Sequence, residues 1–119
     1  VCVVEDAPHE WLFPRMRFVV HHGGAGTTGA AAAAGVPQTA VPFSVDQTRW
    51  ARRARQLGLG PAAPAARELD AAGLEVIFRQ GVEDAEYARR AAELGQRMRA
   101  EDGLSTAVSR IEVCLDSKS

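Results

Sequence analysis

The sequence predicts an α/β fold, a Rossmann-like parallel sheet with flanking helices, and three observations support it. A short apolar run at Phe18–Val20 has the composition of a buried strand, and a second such run lies at Thr39–Val41. Between them lie a glycine turn and an alanine-rich helix, predicted from Thr27 to Ala34. Because strand–helix–strand units cross over in one hand, the two strands are predicted to be parallel.

The segment before this unit is also predicted to be a strand. Val1–Val4 is continuously apolar, and the loop that follows it would lie at the carboxyl end of the sheet, where open α/β folds bind ligands. Cys2 and Cys114 occur at opposite ends of the chain, each within an apolar pattern. No cysteine framework is present, so both are predicted to be free, buried thiols.

Helical spacing of apolar residues continues after Pro42. Ser44 or Asp46 is predicted to cap a helix that reaches about residue 57, with Trp50 and Ala54 facing the core. Three further helices are predicted, over Asp70–Gln80, over Glu83–Ala100 and after Gly103.

Composition limits the classes of function. The chain has 119 residues, of which 46% are hydrophobic and 24% charged, with a formal net charge of −1. That balance predicts an ordinary soluble domain and gives no reason to expect nucleic acid or an anionic membrane as a partner. No run is long and apolar enough for a transmembrane helix, and no signal peptide is recognisable, so a cytoplasmic location is expected.

The glycine turn at residues 21–28, HHGGAGTT, favours anion binding. The first NH groups of a helix have no partner within it, and glycine removes the Cβ atoms that would keep a phosphate away. Thr27 and Thr28 add hydroxyl groups, and either His21 or His22 could donate from its ring. A glycine turn that only starts a helix, with no ligand, is the alternative.

The same turn fits a second kind of nucleotide site. Residues 24–29, GAGTTG, satisfy the G-x-G-x-x-G pattern of dinucleotide-binding domains, and Asp46 follows at about the spacing of a ribose-binding acid. A non-catalytic nucleotide- or dinucleotide-binding module is therefore the alternative function. Against it, paired histidines have no role in that pattern, and Asp46 is expected to open a helix.

Asp46 and Gln47 form the acid–amide pair of the chain, just beyond the second predicted strand. In a parallel sheet this places them at the same edge as the glycine turn. One site would then offer phosphate donors from the turn and both donors and acceptors for hydroxyl groups. A diphosphate that carries a sugar needs both. The competing interpretation of Asp46 is an ordinary helix cap.

These residues carry a family resemblance. The motifs PHEWLFPR, HHGGAGTTG, AGVPQ and DQ..WA.R stand here in the order and spacing of the donor-binding, C-terminal domain of GT-B fold UDP-sugar glycosyltransferases. Within that family the chain is most similar to the sterol glucosyltransferase-like branch, and next to the bacterial enzymes that glycosylate antibiotics. The match covers about half of the chain closely and the C-terminal helices loosely.

The resemblance implies inverting transfer of a hexose, usually glucose from UDP-glucose, to a hydroxyl of a lipophilic acceptor such as a sterol or natural product. It implies no metal and no cofactor beyond the donor. The implied site residues fall into three groups: His21, Gly23, Gly24, Ala25, Gly26 and Thr27 for the diphosphate, Asp46 and Gln47 for the sugar, and Ala7 and His9 for the base and ribose.

The resemblance also implies that residues 1–119 are a partial donor domain. The family's general base is a histidine of an N-terminal acceptor domain, and neither that domain nor the first strands of the donor domain are in these residues. We therefore expect no catalytic residue here and no transferase activity from these residues alone. The missing acceptor domain and a nucleotide-sugar are the expected partners.

Overall fold

Two parallel strands and six helices form residues 1–118, the part of the chain that this computed structural model describes. In chain order they are α1 (His9–Leu12), β1 (Val19–His21), α2 (Ala25–Ala34), β2 (Gln38–Ala40), α3 (Val45–Gln56), α4 (Ala71–Glu83), α5 (Ala85–Ala100) and α6 (Gly103–Asp116). Short 3₁₀ turns lie at Phe13–Arg15 and Ala66–Glu68. The predicted α/β class is confirmed.

The central unit is β1–α2–β2, and its strands are parallel as predicted, with His21 opposite Ala40. Helix α2 ends where the sequence indicates. Gly35 takes the left-handed conformation at φ 71°, and its N–H bonds the last carbonyls of the helix. The helix begins at Ala25 rather than at Thr27, because Ala25 and Gly26 already have helical geometry.

Small residues let α2 lie close to α5, which covers it. A Cβ at Gly95 would come within 2.7 Å of the Gly35 Cα atom, so this crossing requires glycine. Ala31 and Ala91 are fully buried nearby, and Val19 packs with Ala31 on the sheet side. The alanine run of α2 thus explains why the helix fits between the sheet and its neighbour.

Two predictions about the chain ends are wrong. Val1–Val4 forms no strand, and its side chains are exposed. Cys2 and Cys114 are both free, as predicted, but both are exposed rather than buried.

The helices after β2 occur where apolar spacing predicts them, but their packing differs. Ala54 is buried on α3, whereas Trp50 is 40% exposed, because nothing in the described chain covers that part of the helix. Helix α6 has no buried residue. None of the helices within residues 1–118 is long and apolar enough to cross a membrane.

Candidate functional site

The turn between β1 and α2 leaves the N-terminal end of α2 open. Gly24 takes the cap position and provides no side chain, so within the described chain no side-chain group caps the first NH groups. Ala25 and Gly26 are exposed, and a Cβ at Gly26 would meet nothing within 4 Å. The NH groups of the first helical turn are therefore accessible to a ligand, and the positive end of the helix dipole favours an anion there.

His21 does not face this opening with a free nitrogen. Its Nδ1 accepts a hydrogen bond from the Gly23 N–H at 3.0 Å, which requires that Nδ1 carry no proton. The proton therefore lies on Nε2, which donates to Gln38 Oε1 at 2.7 Å. Both ring nitrogens of His21 and the Gly23 N–H are thus engaged within the chain.

The surroundings of His21 keep its ring neutral. Burial lowers the pKa of the His21 imidazole below its ordinary value of 6.5, and this effect exceeds the raising effect of the Gln38 hydrogen bond. His22 and His9 lower the pKa further through their positive charge when protonated. A neutral ring is also what the hydrogen bond from Gly23 requires.

His22 is the exposed member of the pair. The described chain offers its ring no hydrogen-bond partner, and its plane stands at 86° to that of His21, with ring centroids 6.5 Å apart. The ring lies over Gly24, since a Cβ at that position would come within 2.5 Å of His22 Nε2. The sequence did not decide whether His21 or His22 donates to a ligand. In the structure His22 is the histidine of this pair with free ring nitrogens.

The two threonines of the turn also differ. Thr27 is half-buried in the first turn of α2, whereas Thr28 is only 7% exposed. The Thr28 hydroxyl is buried and finds no hydrogen-bond partner in the described chain. Its backbone carbonyl accepts a hydrogen bond from the Gln38 side-chain amide at 3.2 Å. Thr28 thus belongs to the interior of the turn, whereas Thr27 is half-buried at the start of α2.

Asp46 and Gln47 lie in the first turn of α3, beside the glycine turn. Gly23, at φ 91°, packs against this helix, because a Cβ there would come within 2.9 Å of the Gln47 carbonyl oxygen. Asp46 is exposed and does not cap the helix, since Ser44 holds the cap position. The interpretation of Asp46 as a cap is therefore wrong, and its carboxylate is left available.

The side chain of Gln47 orders the loop before α3. Its Oε1 accepts a hydrogen bond from the Phe43 N–H at 2.7 Å. This leaves the Gln47 amide group as a donor of two N–H bonds, next to a carboxylate that only accepts. The acid–amide pair and the open end of α2 thus meet at one edge of the sheet, as the parallel topology predicts.

The predicted base and ribose residues lie at the start of the chain. His9 begins α1, and its ring stacks on Phe13 with centroids 4.5 Å apart and planes within 12°. Ala7 is half-buried in the loop before it. Helix α1 packs against α2, so this loop lies close to the helix that begins at the glycine turn.

The third glycine of the dinucleotide pattern, Gly29, lacks the packing role that the pattern requires. In that pattern the last glycine permits close packing of the helix on a strand. Here a Cβ at Gly29 would meet nothing within 4 Å, so the position makes no such contact. Asp46 also begins a helix instead of ending a strand.

Sequence reasoning missed Gln38. It is 1% exposed, lies in β2 and joins His21 to α2. Its signal in the sequence is a long amide side chain between Pro37 and Thr39, inside an otherwise buried strand. Within residues 1–118 no group of three or more histidine, cysteine or acidic side chains is arranged to hold a metal ion.

Comparison with known proteins confirms the family resemblance. The family model described as erythromycin biosynthesis protein CIII-like, C-terminal domain, matches residues 1–113. The chain is 44% identical over 108 residues to a sterol 3-beta-glucosyltransferase of Arabidopsis thaliana, and 40% identical over 112 residues to one of Eremothecium gossypii. These matches cover 91% and 92% of this chain, but only 17% and 9% of the two relatives.

Solved structures agree on the fold. The glycosyltransferase SnogD from Streptomyces nogalater superposes with a TM-score of 0.74 at 32% identity, over 94% of this chain and 30% of that one. The spinosyn forosaminyltransferase SpnP gives a TM-score of 0.88 at 23% identity, over 98% of this chain and 31% of that one. The present chain thus spans less than a third of the length of each of these proteins.

Proposed function

Because this chain belongs to the family of erythromycin biosynthesis protein CIII-like C-terminal domains, the C-terminal domains of GT-B glycosyltransferases, we propose that it binds the nucleotide-diphospho-sugar donor of such an enzyme. The observation that carries the proposal is the contact between Gly23 and the Gln47 carbonyl. It puts the uncapped end of α2 beside the acid–amide pair of α3. A diphosphate and its attached hexose span these two neighbouring helix ends.

The diphosphate is assigned to the N-terminal turn of α2. The backbone NH groups of Gly24, Ala25, Gly26 and Thr27 donate to its oxygens, and the exposed ring of His22 adds a donor. His21 and Gly23, implied by the resemblance to contact the diphosphate, support the turn from within, because their donors are engaged inside the chain. This refines the assignment of the diphosphate residues.

The hexose is assigned to Asp46 and Gln47. Sugar hydroxyls both donate and accept, and the pair supplies a carboxylate acceptor and an amide donor. The base and ribose are assigned to the loop at Ala7–His9, where the imidazole of His9 is already held by stacking on Phe13.

We propose UDP-glucose as the donor and a lipophilic hydroxyl compound as the acceptor, with inversion at the anomeric carbon. The sterol 3-beta-glucosyltransferase relatives support this choice. The general base and the acceptor pocket are assigned to an N-terminal domain, so residues 1–119 by themselves are expected to be inactive. No metal is assigned, because the helix end supplies a positive potential and the His22 ring a hydrogen-bond donor.

Calorimetric titration of the full-length protein tests the proposal. UDP and UDP-glucose are expected to bind with unchanged affinity in the presence of a metal chelator, whereas NAD is expected not to bind. Binding of NAD in preference to UDP would overturn the donor assignment in favour of a dinucleotide module. Loss of UDP binding on chelation would overturn the metal-free site only.

A further inference from the structure

Gln38 and His21 form a continuous chain of hydrogen bonds beneath the glycine turn. The Gly23 N–H donates to His21 Nδ1, His21 Nε2 donates to Gln38 Oε1, and Gln38 Nε2 donates to the Thr28 carbonyl. The donor and the acceptor of each of these three hydrogen bonds are fixed, because the Gln38 amide nitrogen can only donate and the Thr28 carbonyl can only accept. The three bonds therefore have one direction.

Gln38 is a rigid anchor for this series of hydrogen bonds. It is 1% exposed, and burial of a primary amide is costly unless both its oxygen and its nitrogen are bonded. Its backbone is fixed on both sides, by pairing with Val19 on β1 and by donation from its N–H to the Leu59 carbonyl at 2.8 Å. The position of the amide is thus set by the sheet.

The hydrogen-bond chain controls the direction in which the backbone leaves β1. Gly23 is held at φ 91° with its N–H pointing toward His21 and its Cα against α3. His22 and Gly24 flank it, and they carry the free imidazole and the start of the open helix end. If the His21 ring changed tautomer, Nδ1 would carry a proton facing the Gly23 N–H, and the turn would have to move.

We propose that Gln38 is a positioning residue for the diphosphate turn, which acts by holding His21 in the tautomer that accepts from Gly23. This inference rests on the proposed function, because it deepens the account of the same site. Gln38 touches no ligand. It fixes the groups that do, which are His22 and the first NH groups of α2.

The other groups around His21 do not supply this role. The titratable groups that act on the ring are His22 on the same segment and His9 on α1, and both oppose its protonation. Helix α2 has no titratable side chain, and α3 begins with the exposed Asp46. Gln38 is therefore the hydrogen-bond partner that selects the tautomer.

The test compares Gln38→Met with Thr39→Val in the full-length protein. Met is close to Gln in volume but makes neither hydrogen bond. Thr39→Val removes a comparable buried bond at the next residue, from the Thr39 hydroxyl to the Pro61 carbonyl at 2.8 Å, which does not touch the turn. Both variants should lower stability to a similar extent, so stability alone does not separate them.

Two measurements distinguish a positioning role of Gln38 from a contribution to stability alone. Nitrogen NMR of the ring should show His21 with its proton on Nε2 in the parent and in Thr39→Val, and a mixture of tautomers in Gln38→Met. UDP affinity should fall about tenfold in Gln38→Met and stay within twofold in Thr39→Val. A tenfold change corresponds to about 1.4 kcal/mol.

A double-mutant cycle with His21→Asn provides a second readout of the same link. His21→Asn places an amide oxygen where Nδ1 accepts from Gly23 and removes the link to Gln38. In that background Gln38→Met should cause no further loss of UDP affinity. An unchanged tautomer in Gln38→Met, or additive losses in the cycle, would overturn the proposal. A parent that shows the Nε2 tautomer but binds no UDP would overturn the proposed function instead.

Discussion

The helices of the N-terminal and C-terminal halves of the chain begin in different ways. Helices α4, α5 and α6 each start at an aspartate whose carboxylate accepts from a backbone N–H of the first turn, namely Asp70, Asp84 and Asp102. Helices α2 and α3 start without any side-chain cap. The short helix α1 also starts without one. Of the uncapped helices, α2 and α3 are the two that follow β1 and β2, at the carboxyl edge of the sheet.

The difference between capped and uncapped helix starts supports the position assigned to the diphosphate. An aspartate at a helix start satisfies free NH groups and places a negative charge at the positive end of the dipole, which is stabilising. The chain uses this device at α4, α5 and α6 and omits it at α2 and α3, and of these two only α3 has an acidic side chain, Asp46, in its first turn. The first turn of α2 contains no acidic side chain, so an anion from the donor meets free NH groups and a favourable dipole there.

The largest effect is expected when α2 is given the cap that the other helices have. Gly24→Asp places a carboxylate where the diphosphate is assigned, and like charges in contact cost several kcal/mol. UDP affinity should fall about a hundredfold or more, measured by titration of the full-length protein. Gly24→Asn is the matched control, because it caps equally well and displaces His22 equally, but adds no charge. Equal losses in the two variants would contradict the electrostatic account.

The next largest effect concerns the two histidines. His22→Ala removes a free donor to a charged oxygen, which is worth about 1.5–3 kcal/mol, so UDP affinity should fall tenfold or more. The free energy of unfolding should change little, because His22 is exposed. His21→Ala should instead lower stability, since it leaves the buried Gln38 oxygen and the Gly23 N–H without partners. A His22→Ala variant with unchanged UDP affinity would leave the backbone alone as the diphosphate site.

The behaviour of His21 with pH sharpens this contrast. The folded-state pKa of His21 lies below 6.5, so the unfolded chain takes up a proton first as pH falls. The stability that comes from the neutral ring is complete above pH 6.5 and is lost progressively as pH falls from there through the folded-state pKa. Chemical denaturation between pH 8 and pH 5 should show this loss in the parent and not in His21→Asn. An equal loss in both would assign it to other groups.

Local chemistry explains which parts of the structure the sequence could predict. The β1–α2–β2 unit is recognisable because Gly35 and Pro37 fix the end of the helix by their own backbone preferences. The prediction of a strand at Val1–Val4 is wrong, and its failure shows that a strand also needs a pairing partner, which a local sequence pattern does not reveal. Trp50 shows the same limit, since helical spacing defines a face but not what covers it.

The roles of His21 and His22 could not be predicted for a similar reason. The two residues are identical and adjacent, and alternation along a strand puts one side chain inside and the other outside. The choice depends on Gln38, which lies on another strand and is brought beneath His21 by the register of the sheet. Sequence spacing predicts that a site exists at this edge, whereas the tautomer and the hydrogen-bond chain follow only from the pairing of the strands.

The Asp46→Asn variant tests the sugar assignment at the start of α3. As a cap, Asp46→Asn would be nearly silent, but Ser44 holds the cap position. As the acceptor of sugar hydroxyls, Asp46 loses one accepting oxygen to an NH₂ group in this variant. The transfer rate of the full-length enzyme should fall about tenfold, equivalent to about 1.4 kcal/mol at the transition state, with UDP affinity unchanged. Normal transfer and a normal donor KM would contradict the sugar assignment.

The smallest effect is expected at a capped helix, and it completes the contrast. Asp70 accepts from the Gly73 N–H at 2.7 Å at the start of α4. Asp70→Ala should therefore lower the free energy of unfolding by about 1 kcal/mol, whereas Asp70→Asn should be nearly neutral because both residues cap well. Neither change should alter UDP affinity more than twofold, since this cap serves only the helix. A drop in UDP affinity in Asp70→Ala without one in Asp70→Asn would show that the stability of α4 also bears on the donor site. The capped and uncapped helix starts would then no longer divide cleanly into stability and binding.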